Sequence, residues 1–220
     1  ILMDDNFTTI VETILDGRRI YDNIRKAVGY VFTIHIPIAF ASLLAPFFGI
    51  APAALLILPI HVVLLEVLID PTCSIVLERQ PAETDIMERK PRDPKEKLLT
   101  AKLLTKSVLQ GLTVFAASFG AYFIILGGNP DNAPIARAMG LAIIMLANLF
   151  LVQVNSSDRD FAYHSVTRLI KDKVMWAVYI GTLAILAIIL YTPLSGLLKL
   201  SALSGIQLLV ALGLAALSVL

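Results

Sequence analysis

Glu66 and Asp70 stand four residues apart inside the apolar run 53–76. At i and i+4 they fall on one face of a helix. A charged side chain at mid-bilayer costs about 2.5–3.5 kcal/mol on insertion scales, so two carboxylates there need a chemical reason. Pro71 follows directly. It has no N–H, so the carbonyl of Val67, four residues earlier, loses its helical donor. Two carboxylates and a freed carbonyl are oxygen donors of the kind that enclose a hard cation. The run 27–48 repeats the device: Pro37 frees the carbonyl of Thr33, and His35, a ligand or proton carrier, lies between them. The candidate cation-binding groups are therefore Glu66, Asp70, His35, Val67 and Thr33, with Glu66 and Asp70 as the metal-binding pair and Pro37 and Pro71 as the helix breaks. Asn148, polar within the run 134–154, is added as a contributor, against its alternative role as glue between helices.

Each of these residues also has a plain structural reading. The carboxylates and His35 could bond neighbouring helices, and the prolines could be simple kinks. Ion or proton handling is preferred for Glu66 and Asp70, because ionisable groups inside membrane segments are functional by default. His61, near the other end of its run, reads as an interface residue. No catalytic residues are assigned: the sequence offers no serine or cysteine triad, no phosphate loop, no dinucleotide glycine pattern and no Cys/His zinc cluster. Acids are interspersed among the basic residues of the loops, so no nucleic-acid partner is expected.

These groups need membrane helices to position them. Of 220 residues, 57% are hydrophobic, above the roughly 45–50% of a soluble domain. The excess falls in six runs, 27–48, 53–76, 101–126, 134–154, 173–192 and 203–220, most of them long enough to cross a bilayer as helix. Glycine and proline turns separate the first pair, the third from the fourth, and the fifth from the sixth. The other two connections are long and charged. Sixteen of the 18 Lys and Arg residues lie before the first run, in residues 78–106 or in residues 155–173; only Arg137 and Lys199 lie elsewhere. The positive-inside rule places the N-terminus, the 78–100 and 155–172 loops and the C-terminus in the cytoplasm. Phe7, Ile10, Val11 and Ile14 recur at helical spacing ahead of the first run, with Asp4, Asp5 and Asn6 as capping candidates. The expected fold is all-α: a polytopic membrane protein of six transmembrane helices in three hairpins, preceded by a stalk helix. The apolar face of that stalk asks for a soluble partner. Residues 1–26 form one expected unit and 27–220 the membrane unit. Ser107, Gly111, Ser118 and Gly120 mark a close-packing face on the third helix, and Cys73, the single cysteine, excludes an intramolecular disulfide.

Two stretches carry a resemblance. "DDNFTTIVETILDGRRIYDNIRKAVGY" resembles the end of the phosphorylation domain and the stalk of P-type cation-transporting ATPases, and "ETDIMERKPRDPK" resembles the cytoplasmic loop after that family's sixth membrane helix. Their order and spacing match the C-terminal transport region of the type II branch, which includes calcium and sodium pumps. The resemblance implies cation sites between the first, second and fourth helices, with Asp70 on the aspartate shared by the family. It places Glu66, His35 and Ile38 where calcium pumps carry other residues, which leaves one divalent cation or protons as the cargo. It implies a parent pump that uses ATP and Mg2+, with no cofactor held by this stretch. The aspartyl-phosphate motif D-K-T-G-T does not occur in these 220 residues. Expected partners are membrane lipid, the transported cation (a Ca2+-like divalent or H+) and upstream nucleotide-binding and phosphorylation domains, in the plasma membrane of a prokaryote. The alternatives are a standalone ion or proton carrier and a non-catalytic membrane assembly subunit.

Overall fold

A computed structural model describes residues 6–91, 97–156 and 172–219, with the side chains of residues 73 and 74 outside the description. Asp4 and Asp5 and most of the 155–172 loop therefore lie outside the described residues.

Helix α1 spans Phe7–Leu44 without interruption, so the amphipathic stalk and the first apolar run form one rod. Its N-cap is Asn6, whose side chain accepts a hydrogen bond from the Thr8 N–H at 3.0 Å. The rod ends in a 3-10 turn, Ala45–Phe48, closed by Gly49 at φ 67°. Helix α2, Pro59–Pro71, starts on a proline whose missing N–H has no role at that position. After Pro71 the chain continues as a π-helical segment, Thr72–Leu77, a wide turn that accommodates the lost i→i−4 bond. Helix α3, Ala101–Leu126, is capped by Thr100 and stopped by Gly127. Helix α4 covers Ala133–Asn155, α5 covers Lys173–Tyr191 and α6 covers Gly205–Val219. Among the described residues there are no strands; the fold is all-α.

Among the described residues, five helical segments are long and apolar enough to span a membrane; α6, with 15 residues, is shorter. Its start is fixed by a reciprocal cap in which Ser204 and Gln207 satisfy each other's backbone N–H. The sixth run thus begins its helix two residues later than its apolar composition suggests.

Connectivity follows the expected hairpins, but packing pairs only the second of them, α3 with α4. Helix α1 packs against α3 more extensively than against α2, and α6 packs on α4 and α3 rather than on α5. Helix α4 is apolar on all sides and is buried on nearly all sides, so the other helices assemble around it. The α1–α3 contact depends on small residues. The Ser107 hydroxyl donates to the Gly29 carbonyl at 2.9 Å. A Cβ at Gly111 would lie 2.6 Å from the Ile36 Cβ and 2.7 Å from the Thr33 carbonyl oxygen. Gly120, expected on the same face, meets nothing within 4 Å.

Candidate functional site

The expected helix break at Pro37 does not form, since α1 runs through it as helix, whereas the helix after Pro71 changes to a π-helical segment; His35 of α1 and Glu66 of α2 meet. His35 Nε2 lies 3.1 Å from Glu66 Oε1, and His35 Nδ1 lies 2.8 Å from the Val31 carbonyl oxygen. A carbonyl only accepts, so Nδ1 carries a hydrogen. The Nε2–Oε1 contact then joins either an imidazolium to a carboxylate or a neutral imidazole to a protonated acid. The two side chains are 44% and 36% exposed. Asp70, one turn along α2, is exposed and has no recorded hydrogen bond or ion pair among the described residues. Val67, between the two acids, is 60% exposed.

The remaining candidates point into the bundle. The Thr33 hydroxyl donates to the Gly29 carbonyl at 2.9 Å, and its own carbonyl, freed by Pro37, faces Gly111 of α3. Asn148 is buried and its Oδ1 accepts a hydrogen bond from the hydroxyl of the fully buried Tyr30, joining α4 to α1. Pro37 is buried and Pro71 exposed. The structure therefore brings His35 and Glu66 into contact and keeps Asp70 on the same helix, while Thr33 and Asn148 are engaged on the inner side. Among the described residues, no group of three or more His, Cys, Asp or Glu side chains is placed to hold a metal ion. What exists is a single histidine–carboxylate contact on the side of α2 that exposes Val67 and Asp70.

His61 is not an interface residue. It is fully buried, with the Leu58 N–H donating to Nδ1 at 3.2 Å and Nε2 donating to the Leu198 carbonyl at 2.8 Å. Two further residues complete this end of the molecule. Arg137, only 2% exposed, donates to the carbonyls of Leu55 at 2.6 Å, of Lys199 at 3.1 Å and of Ala53. The Tyr122 hydroxyl donates to the Ala54 carbonyl. Together these groups peg the 49–58 and 192–204 connections to α3 and α4. The sequence signal was present in Arg137, a lone cation at the edge of an apolar run, where burial demands fixed acceptors.

The opposite end holds a second network. Asn23 donates to the carbonyls of Glu78 at 3.0 Å and Gln80 at 2.7 Å. Arg18 donates to those of Ile86 at 2.7 Å and Arg89 at 2.9 Å. Arg89 pairs with Asp22 and Asp85, each at 2.7 Å; the hydrogen bond it donates to Asp85 and the charge of Asp22 hold its guanidinium above the ordinary value. Lys26 pairs with Glu83 at 2.7 Å, with both side chains under 8% exposed, and also reaches the Ser156 carbonyl at 3.2 Å. The described part of the loop after α2 is thus clamped along the stalk portion of α1.

Residues 54–220 match the family described as "Cation transporting ATPase, C-terminus". The chain is 32% identical over 195 residues to a calcium-transporting ATPase of Bacillus subtilis (strain 168), an alignment that covers 88% of this chain and 21% of that protein. It is 37% identical over 143 residues to a sodium/potassium-transporting ATPase subunit alpha-1 of Catostomus commersonii, covering 64% of this chain and 13% of that protein. A sodium/potassium-transporting ATPase subunit alpha of Drosophila melanogaster is 35% identical over 133 residues, covering 59% of this chain and 12% of that protein. The chain spans about a fifth or less of the length of these curated relatives.

Proposed function

Because the chain belongs to the cation-transporting ATPase family, matching its C-terminal region, we propose that it supplies the cation-binding helices of an ATP-driven pump. It is an integral, multi-pass membrane protein by its helices and by its family. In the proposed pump, upstream domains bind ATP and Mg2+ and form the aspartyl phosphate, and residues 1–26 carry their movement into the membrane unit. Glu66 and Asp70 bind the cargo, a divalent cation or protons, with His35, Val67, Thr33 and Asn148 completing or supporting the site. The N-terminus, both charged loops and the C-terminus face the cytoplasm, in the plasma membrane of a prokaryote.

The carrying observation is the His35–Glu66 contact beside Pro37, at which α1 nonetheless stays helical, with Asp70 exposed one turn away on α2. His35 occupies an oxygen that a cation would use, so cation access requires that contact to break. The open face beside Asp70 leaves room for further donors from outside these helices. Phe7, Val11 and Ile14 are exposed along the stalk; apolar residues there suit a soluble domain and have no use in a standalone carrier. In the intact pump, Asp70→Asn is expected to abolish cation-dependent phosphorylation. Unchanged cation dependence in that variant would refute the assignment. Ion flux through proteoliposomes without ATP would instead support the carrier.

A further inference from the structure

A cavity of about 360 Å³ opens where the charged ends of α1, α3 and α4 meet, lined by Arg25, Lys26, Lys102, Leu103, Lys106 and Asn155. Four of those six side chains are cationic, and none is acidic. Lys26 is neutralised by Glu83. Arg25, Lys102 and Lys106 have no recorded ion pair among the described residues, and Lys102 and Lys106 are exposed. Like charges gathered without a counterion repel one another, so this cavity is set for an anion.

The helix register says more about the anion. Lys102 and Lys106 are one turn apart, and Leu109, 60% exposed, completes the i, i+4, i+7 stripe on α3. Arg25 and Phe32, which is also exposed, stand in the same i, i+7 relation on α1. Arg25 and Lys102 thus each sit over an exposed apolar side chain about 10 Å deeper along the helix, and Lys106 lies about 4.5 Å above Leu109. A charged pocket above apolar tracks matches an amphiphile better than a free ion, and basic pockets between membrane helices on the cytoplasmic side suit anionic lipid head groups.

We propose that this cavity binds the phosphate of an anionic phospholipid of the leaflet that faces the charged loops. The choice of leaflet rests on the orientation proposed above. The test measures retention of phosphatidylglycerol against phosphatidylcholine by the intact protein in mixed micelles, read by native mass spectrometry. The triple variant Arg25→Gln/Lys102→Gln/Lys106→Gln is expected to lower phosphatidylglycerol selectivity by about tenfold or more. Arginine at positions 102 and 106 should preserve it. Removing the same charge elsewhere, in Lys90→Gln/Lys97→Gln/Lys173→Gln, should leave it intact. Equal losses in the two triple variants would reduce the effect to net charge and overturn the site. Displacement of the lipid by inorganic phosphate at equal concentration would overturn the lipid in favour of a free phosphate. Cysteine accessibility reads orientation separately: selectivity lost in the cavity variant, while a cysteine at Lys97 in a Cys73→Ala background is labelled from outside, would keep the site and reject the topology.

Discussion

The buried Lys26–Glu83 pair shows how much one residue can carry at the charged end of the bundle. Its two charges lie 2.7 Å apart and are almost fully buried, so removing one leaves the other unpaired in a poorly solvated place. Lys26→Met should therefore destabilise the protein by about 3–5 kcal/mol. The double variant Lys26→Met/Glu83→Leu should recover most of that loss, because both desolvation costs vanish together. Thermal denaturation in detergent checks both; equal melting of the single and double variants would contradict a buried charge as the cause. The same reasoning explains Arg137, which faces three carbonyls and no carboxylate. Its fork of donors matches acceptors that diverge, a geometry a lysine does not reproduce. Both pairings escape sequence reading because their partners are 57 to 84 residues away, and local pattern carries no information at that range.

Helix α1 is the element that links stalk, site and core. Its contact with α3 is close because Gly111 has no side chain where Ile36 and the Thr33 carbonyl approach. Gly111→Ala places a methyl within 2.7 Å of both groups, and overpacking of this kind costs about 1–3 kcal/mol. Gly120→Ala on the same helix meets open space and should be neutral or slightly stabilising. Melting of the two variants side by side separates packing from helix propensity, since propensity alone would stabilise both. The small-residue pattern on α3 foretold a close-packed face, and Ser107 and Gly111 form one. The pattern could not show which helix would fill it; the hairpin order suggests α4, yet α1 is the neighbour at Gly111. One consequence touches the candidate site: the carbonyl that Pro37 frees faces this interface rather than the Glu66 side chain.

At the scale of the whole molecule, the two ends differ in kind. One end is held by ion pairs and backbone acceptors that tie the loop after α2 to the stalk. The other is closed by Arg137, Tyr122 and His61 against short connections. The loop after α2 and the π-helical segment after Pro71 both contact α1, while the far end is pegged separately. Orientation is checked by cysteine labelling in a Cys73→Ala background: a cysteine at Lys97 should react only from the cytoplasmic side, and one at Asn129 only from outside. The reverse pattern would invert the proposed topology.

Composition and run length were enough to establish an all-helical membrane protein, because a bilayer admits few ways to satisfy a backbone. Proline spacing and acids within apolar runs singled out α1 and α2 as the candidate helices, since the cost of such residues in lipid is local and legible one residue at a time. Tertiary structure alone decided that His35 meets Glu66, that Thr33 and Asn148 turn inward, that His61 is a buried donor, and that α4 rather than any hairpin forms the centre. Those outcomes depend on which faces meet across long sequence separations, and helical periodicity names a face without naming its partner.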